Sequence, residues 1–382
     1  MRRRDGLLAL LLGSLAVCAC RGEIALSGPE GDGGLDSRTL EAGSNGSSSA
    51  SGGSSSSTSS GGSTGSGTAG SGSSSGGPCA GIPAGSGSGS DGTPVLLAHV
   101  NSPSGIVVDA TNAYVASYEI GPVYRVALDG SGSAVMLDAI GQNNVAINTT
   151  GVYTVAGGGG DVPQGIVVGC AKTGCNSQYT TLATGQNGVW GVAADDVNVY
   201  WTNQQDVGGI FEAPIGGGPA VMLSGAGPAG SVVANGGRVF YEGATTTTSP
   251  GFGETGVLTV SATGGPPTVL VPPNPNYNVV ALTVDCVNVY YETTDGTIAQ
   301  VPIGGGTPTT LVTGAGRGLL QLAVDSDRVY FGSTQGDVAS VPIGGGAVTT
   351  LAPGAGSIGI AVDANNVYWT NRDEGTVMKL AK

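Results

Sequence analysis

The chain has 382 residues, enough for two or three domains, but 72 of them are glycine and only 10% are charged. Much of the glycine and serine falls in one block, so the part able to bury a core is shorter than the chain. The formal charge of −14 repels phosphate backbones and speaks against a nucleic-acid ligand, and the scattered acidic residues read as a solvated surface.

Taken in order, the chain opens on Arg2, Arg3 and Arg4, followed by an apolar core from Leu7 to Val17. That core is too short for a permanent membrane span. It runs into Leu15-Ala-Val-Cys-Ala-Cys20, which resembles the lipobox of bacterial lipoproteins. The resemblance implies a signal peptide over 1–20 and a lipid on Cys20, which follows the small Ala19, whereas Cys18 follows the bulkier Val17. The alternative is an ordinary secretory signal cleaved nearby. Either route takes the mature protein out of the cytosol, where disulfides are permitted. The lipid anchor predicts an envelope protein held at the outer membrane or on the cell surface.

Residues 21–93 read as a linker rich in Gly and Ser. Ser47 to Gly77 carries no charge, aromatic or large apolar side chain, so it cannot bury enough surface to offset its ordering entropy. A flexible segment of about 70 residues has an r.m.s. span of roughly 45 Å, which suits a stalk. Cys79 and the stretch from Pro78 to Pro83 mark the approach to the domain.

Past Thr93 one phrase recurs. It is an apolar run, an Asp or Asn, three turn-type residues, a β-branched or small residue, then one or two aromatics. Its clearest copy is Asp363-Ala-Asn-Asn-Val-Tyr-Trp-Thr-Asn371. The marker positions are Asp109, Asn148, Asp195, Asn235, Asp285, Asp325 and Asp363, spaced 39, 47, 40, 50, 40 and 38 residues apart. A period near 40 with short β-rich runs is the signature of propeller blades. Each unit reads as four strands. In the sixth these are Leu319 to Val324, Arg328 to Gly332, Asp337 to Pro342 and, after the turn Ile343 to Gly346, Val348 to Leu351. The fold class is therefore all-β, a seven-bladed β-propeller over 94–382. The last unit has three strands, and Thr93 to Val100 resembles a fourth strand such as Pro308 to Val312, so the N-terminal strand is expected to complete the last blade.

The marker residues have a structural cause. A short acceptor side chain at the end of a strand bonds backbone N–H groups two or three residues on and fixes the turn. Their regularity argues for turn chemistry over metal binding or catalysis. Val199-Tyr-Trp-Thr-Asn203 and Val367-Tyr-Trp-Thr-Asn371 resemble the Tyr-Trp-Thr-Asp blades of low-density-lipoprotein-receptor-type propellers, with Asn in place of the final Asp. The domain as a whole is similar to secreted bacterial Tyr-Trp-Thr-Asp/NHL-like propellers. These families include adhesive receptors and enzymes.

The resemblance implies that ligands bind on the face that carries the loops between second and third strands. Here those loops run over Ser117–Gly121, Gly157–Pro163, Thr202–Gly208, Gly243–Gly256, Thr293–Gly296, Ser333–Gly336 and Asn371–Gly375. The longest holds Thr245, Thr246, Thr247 and Thr248, a candidate binding loop or a tolerated insertion. His99, the one histidine, lies on the closing strand and no nucleophile-elbow motif accompanies it, so no catalytic residue is assigned. Cys170 and Cys175 flank a four-residue hairpin loop and are expected to form a disulfide; a zinc half-site is the rival, but no second Cys/His pair exists to complete it. Cys79 and Cys286 pair or stay free. No metal or cofactor is predicted.

Two functions stay open. The leading one is an envelope-anchored, monomeric propeller that binds a protein or glycan through its loop face. The alternative is a metal-assisted hydrolase or lyase of the gluconolactonase-like or virginiamycin-B-lyase-like type. The lyase pattern calls for a catalytic histidine, which the shortage of histidines counts against; the gluconolactonase pattern uses carboxylate and amide ligands, which the sequence leaves open.

Overall fold

The computed structural model describes residues 92–382 apart from 119–120, 158–163, 176–177, 206–207, 226, 228, 245–253, 316–320 and 334–335. It is a ring of seven four-stranded antiparallel sheets. The chain enters on β1 (Val95–His99). Blade 1 follows as β2 (Pro103–Val108), β3 (Asn112–Ser117), β4 (Gly121–Ala127) and β5 (Val135–Gly141). Blade 2 is β6 (Val145–Ile147), β7 (Gly151–Ala156), β8 (Gly165–Ala171) and β9 (Thr180–Gln186). Blade 3 is β10 (Val189–Ala194), β11 (Asn198–Asn203), β12 (Gly209–Pro214) and β13 (Val221–Ser224). Blade 4 is β14 (Ala229–Asn235), β15 (Arg238–Gly243), β16 (Gly256–Ser261) and β17 (Thr268–Val271). Blade 5 is β18 (Val279–Val284), β19 (Asn288–Thr293), β20 (Ile298–Pro302) and β21 (Thr309–Val312). Blade 6 is β22 (Ala323–Val324), β23 (Arg328–Gly332), β24 (Val338–Pro342) and β25 (Thr349–Ala352). Blade 7 is β26 (Ser357–Val362), β27 (Asn366–Asn371) and β28 (Thr376–Ala381), and its fourth strand is β1.

The marker aspartates build the turns between first and second strands. In blade 3, Asp195 Oδ1 accepts from the N–H groups of Val197 and Asn198, both at 2.7 Å. Its Oδ2 accepts from the hydroxyl of Tyr200 at 2.8 Å. The same three bonds recur around Asp109, Asp285, Asp325 and Asp363. One carboxylate thus caps the turn with one oxygen and anchors the phrase's tyrosine with the other. Burial first, and then the facing carboxylate, pushes the Tyr200 and Tyr368 hydroxyls above the usual tyrosine range.

Asn148 caps its turn in the same way, its Oδ1 accepting from the N–H groups of Thr150 and Gly151, but both asparagine markers also add a link. Asn148 and Asn235 each donate an amide N–H to the next blade, to the carbonyls of Asp195 and Asp285, at 3.1 Å. In blade 4 the turn is left to Gly236 (φ 58°) and Gly237 (φ 72°), a pair of left-handed residues that closes a tight hairpin without a side-chain cap. The aromatic there is Phe240, which has no hydroxyl to place. At two aspartate markers the next blade reaches back with a lysine. Lys172 lies 3.1 Å from Asp109 Oδ2, and Lys382 lies 2.6 Å from the buried Asp325 Oδ2. Burial works to raise the Asp109 carboxyl, but the N–H groups of Thr111 and Asn112 and the lysine outweigh it and hold it below the usual range.

The phrase also decides the packing. Its Val and Tyr point to opposite faces of the second strand. Val199 packs with blade 2 and Tyr200 with blade 4. Repeated around the ring, this gives seven hydrophobic clusters, one in each seam between adjacent blades. The seam between blades 7 and 1 is filled partly by Leu97, Ala98 and Val100 from the N-terminal strand. Cys170 and Cys175 form a disulfide with Cα atoms 5.1 Å apart, joining the end of β8 to the turn that follows it. Cys286 is also disulfide-bonded, and its partner lies outside the described residues.

β1 pairs with β28 in the register Val95↔Lys379 to His99↔Thr376, and Val100 N–H continues the pairing to Gly375 O at 2.9 Å. Removing residues 1–92 should therefore leave a cooperative melt, whereas removing residues 1–100 opens the ring, strips Leu97, Ala98 and Val100 from a seam and bares strand edges. Differential scanning calorimetry of the two truncations should show a much lower melting temperature or aggregation for the second. Equal melting temperatures would refute closure by β1.

Candidate functional site

The first strand of every blade is innermost, so seven strands surround a central channel. Each runs from the loop face, where the second-to-third-strand loops lie, to the face that carries the Asp turns. The channel holds a cavity of about 80 Å³, lined by all seven blades, whose wall extends along the inner strands from Trp190 toward residues such as Val107 and Ala193 two positions before the markers. At ~10–15 Å³ per water, that is room for a handful of ordered waters. Ile106, Val192 and Ile360 make the walls apolar, while Asn144, Ser231, Thr283 and Gln321 add polar groups and Trp190 the one aromatic.

These polar residues are held in defined ways. Asn144 donates from Nδ2 to the carbonyl of Trp190 at 3.1 Å, which ties blade 2 to blade 3. Gln321 reaches from blade 6 past blade 7, and its Oε1 accepts the N–H of Ile106 in blade 1 at 3.0 Å. Gly359 in blade 7 makes room for it, since a Cβ there would lie 2.8 Å from Gln321 Oε1 and 2.4 Å from the carbonyl of Ser104.

Behind the channel wall sits a second set, contributed by the fifth residue of the second strand in blades 3, 4, 5 and 7; the same position is Ala116, Val155 and Gly332 in blades 1, 2 and 6. In blade 3 this is Thr202, whose hydroxyl accepts from Gly191 N–H at 2.9 Å and donates to Gly230 O in blade 4 at 2.5 Å. In blade 7 it is Thr370, which accepts from Gly359 N–H at 2.9 Å and donates to Ser104 O in blade 1 at 2.6 Å. Each threonine hydroxyl joins two blades at the loop end of the channel. Blades 4 and 5 place Glu242 and Glu292 at this position. Glu242 is 9% exposed, lies against Gly230, and accepts from Ser231 N–H at 3.1 Å, the bond Thr202 takes from Gly191. Burial raises its carboxyl from the usual 4.5 to about 7, against the pull of Ser231 N–H and Thr255. Glu292 is fully buried and is engaged with a partner of its own.

The residues singled out from the sequence spread widely. The seven marker positions lie on the face opposite the second-to-third-strand loops and do not line the channel cavity. His99 is exposed on β1, the outermost strand of its blade, away from the channel. Thr245 to Thr248 lie outside the described residues, as do Cys18, Cys20 and Cys79. Among the described residues no group of three His, Cys, Asp or Glu side chains is arranged to hold a metal ion. Trp190 was not singled out by the repeat, yet a signal was present. Of three tryptophans, Trp201 and Trp369 belong to the Val-Tyr-Trp-Thr-Asn phrase and are fully buried, whereas Trp190 stands outside it and is half-buried at the cavity.

Comparison with solved structures agrees with this architecture. The chain is similar to virginiamycin B lyase from Staphylococcus aureus at 12% identity and a TM-score of 0.57, over 76% of this chain and 99% of that one. It is similar to a GH74 enzyme from Niastella koreensis at 14% identity and a TM-score of 0.54, over 75% of this chain and 53% of that one. A gluconolactonase from Xanthomonas campestris matches at 12% identity with a TM-score of 0.47, over 76% of this chain and 89% of that one. At such identities the likeness is one of fold. No protein-family model and no curated protein matches the sequence.

The raised carboxyl of Glu242 makes stability depend on pH. Its proton is held more tightly in the folded than in the unfolded state, so its contribution is most favourable below about 4.3 and is lost as pH rises through about 7. The full penalty at alkaline pH is on the order of 3 kcal/mol. Glu242→Gln keeps the acceptor and adds a neutral donor. It should melt roughly 5 °C above the parent at pH 8 and within a degree or so of it at pH 4. The same difference at both pH values would show that Glu242 does not carry the effect.

Proposed function

We propose that the chain is an envelope-anchored propeller that binds a glycan or protein through its loop face, held at a distance by its linker. The observation that carries this reading is the channel mouth, where Trp190, Asn144 and Gln321 gather on a rigid ring at the loop end. A few convergent polar groups and an aromatic on a preformed concave surface are the ordinary makings of a binding site.

The placement of the chain's attachment supports the same orientation. Gly92, where the described chain begins, lies against Leu380 and Ala381 at the Asp-turn end of blade 7. Cys286 follows the marker Asp285 on that same face. Cys170 and Cys175 are bonded to each other, so the partner of Cys286 is one of Cys18, Cys20 and Cys79. On the lipoprotein reading the signal peptide removes Cys18 and the lipid occupies Cys20, which leaves Cys79. A stalk stapled there leaves the domain from the Asp-turn face and keeps the loop face clear of the attachment. Peptide mapping without reduction should recover Cys79 joined to Cys286, and a Cys286 that alkylates freely in the unreduced, denatured protein would refute the staple.

A metal-assisted hydrolase or lyase is the second reading, favoured by the fold likeness to virginiamycin B lyase and by the ionisable pair Glu242 and Glu292 near the channel. One experiment separates the two. The mature protein, immobilised through its N-terminal segment, is challenged with envelope extract with and without a chelator. Retention of a glycan or protein indifferent to the chelator is expected; chelator-sensitive turnover would replace binding by catalysis. Globomycin should leave an uncleaved precursor, and palmitate labelling should vanish in Cys20→Ala. Labelling that persists there would move or remove the anchor.

A further inference from the structure

We infer that the channel mouth is a site for a neutral saccharide, with the indole of Trp190 as its stacking platform and the amides of Asn144 and Gln321 reading its hydroxyls. This deepens the binding function proposed above and rests on the loop face being the binding face.

Trp190 departs from its counterparts in the other blades. Five residues before the marker, the described blades have Ser104, Asn143, Gly230, Val280 and Ile358. Here a large, partly buried indole lines a preformed cavity, and the seams leave no other tryptophan in contact with water. A partly exposed tryptophan in a cavity wall offers an apolar face and a polar N–H, and the C–H-bearing face of a pyranose ring covers such a surface well. The hydrogen bond from Asn144 Nδ2 to the Trp190 carbonyl fixes the backbone of the platform and the amide beside it together.

The amides are complementary in what they have left to offer. Asn144 donates to Trp190, which leaves its Oδ1 as an acceptor. Gln321 accepts from Ile106 N–H with Oε1, which leaves two hydrogens on Nε2. A sugar hydroxyl both donates and accepts, so an acceptor and a donor on either side of one cavity suit a pair of hydroxyls. Among the described residues no charged side chain lines the cavity. An ionic ligand would lose its hydration with no counter-charge to replace it, and an anion would meet a protein of formal charge −14. The cavity of about 80 Å³ holds waters whose positions hydroxyl groups can take, while the ring itself rests at the mouth on the indole.

The burial pattern supplies the probe. Trp201 and Trp369 are 0% and 1% exposed, so acrylamide quenching of the folded protein reports on Trp190. The mature full-length chain is titrated with neutral hexasaccharides: cellohexaose, xylohexaose, laminarihexaose, maltohexaose and chitohexaose. At least one is expected to protect Trp190 from acrylamide. Calorimetric titration with that oligosaccharide should show Trp190→Ala weakening binding at least tenfold, Trp190→Phe retaining most of it, and Asn144→Ala weakening it severalfold, with melting temperatures unchanged for the Trp190 variants. If no hexasaccharide protects Trp190, or if Trp190→Ala binds undiminished, the inference is overturned. A parent that still retains an envelope component in those cases leaves the loop-face reading standing. A parent that retains nothing from the envelope and binds no hexasaccharide overturns both.

Discussion

The architecture depends on one carboxylate used twice. In five blades the marker aspartate caps the first turn with Oδ1 and receives a tyrosine hydroxyl on Oδ2. The first use sets where the second strand begins. The second fixes the side chain that fills the seam toward the next blade. Hydrogen bonds to charged groups contribute roughly 1.5–3 kcal/mol each, and a buried tyrosine left without its acceptor would cost comparably. Local turn and long-range packing are thus set by the same residue, so a register slip in the second strand would misplace the core and break the turn at once. That consistency between levels is what a repeated unit needs to fold the same way seven times.

The ring is less symmetric than its repeats suggest. Where the marker is Asn, the amide reaches forward to the next blade's carbonyl. Where it is Asp109 or Asp325, the next blade's lysine reaches back. Lys382 bonds both Asp325 and the carbonyl of Asp363, so it joins blades 6 and 7 at a point where both charges are almost fully buried. Such a pair is costly to form and more costly to break by halves, since removing one member strands the other. It stands one seam away from the closure by β1, and so strengthens the side of the ring that has no continuous chain through its fourth strand.

Most of this fold was legible in the sequence because its determinants are local. The spacing of marker and tyrosine, the Pro-Ile-Gly-Gly-Gly turns and the cysteines across a hairpin each act within a few residues. In those turns Gly345 (φ 80°) and Gly346 (φ 132°) take conformations that other residues resist. The three-strand last unit and the spare strand at Thr93 to Val100 told the closure for the same reason. The candidate site was not legible because its residues are brought together across blades. Gln321 meets Ile106 from 215 positions away, and nothing in either neighbourhood announces the other. The difference between Thr202 and Glu242 is plain in the sequence, but its meaning depends on which residue of the next blade each one faces. Trp190 could have been found by asking which tryptophan the repeat does not explain.

The two faces of the ring thus differ in how regular they are. On the Asp-turn face the same chemistry recurs blade after blade, and variation there is compensated: Asn235 comes with Phe240 and a glycine turn, and Asp109 and Asp325 each come with a lysine. On the loop face the variation is not compensated. Trp190 stands where the other described blades have Ser, Asn, Gly, Val or Ile, and Glu242 occupies a place that threonine fills more cheaply, as Thr202 and Thr370 show. A threonine hydroxyl accepts from its own blade and donates to the next. A carboxylate can only accept, and a carboxyl kept protonated by burial regains the donor. Blades 4 and 5 therefore carry an ionisable group in a seam that stability alone would leave neutral, two blades or fewer from the indole of Trp190. These departures from the repeat gather at one end of the channel.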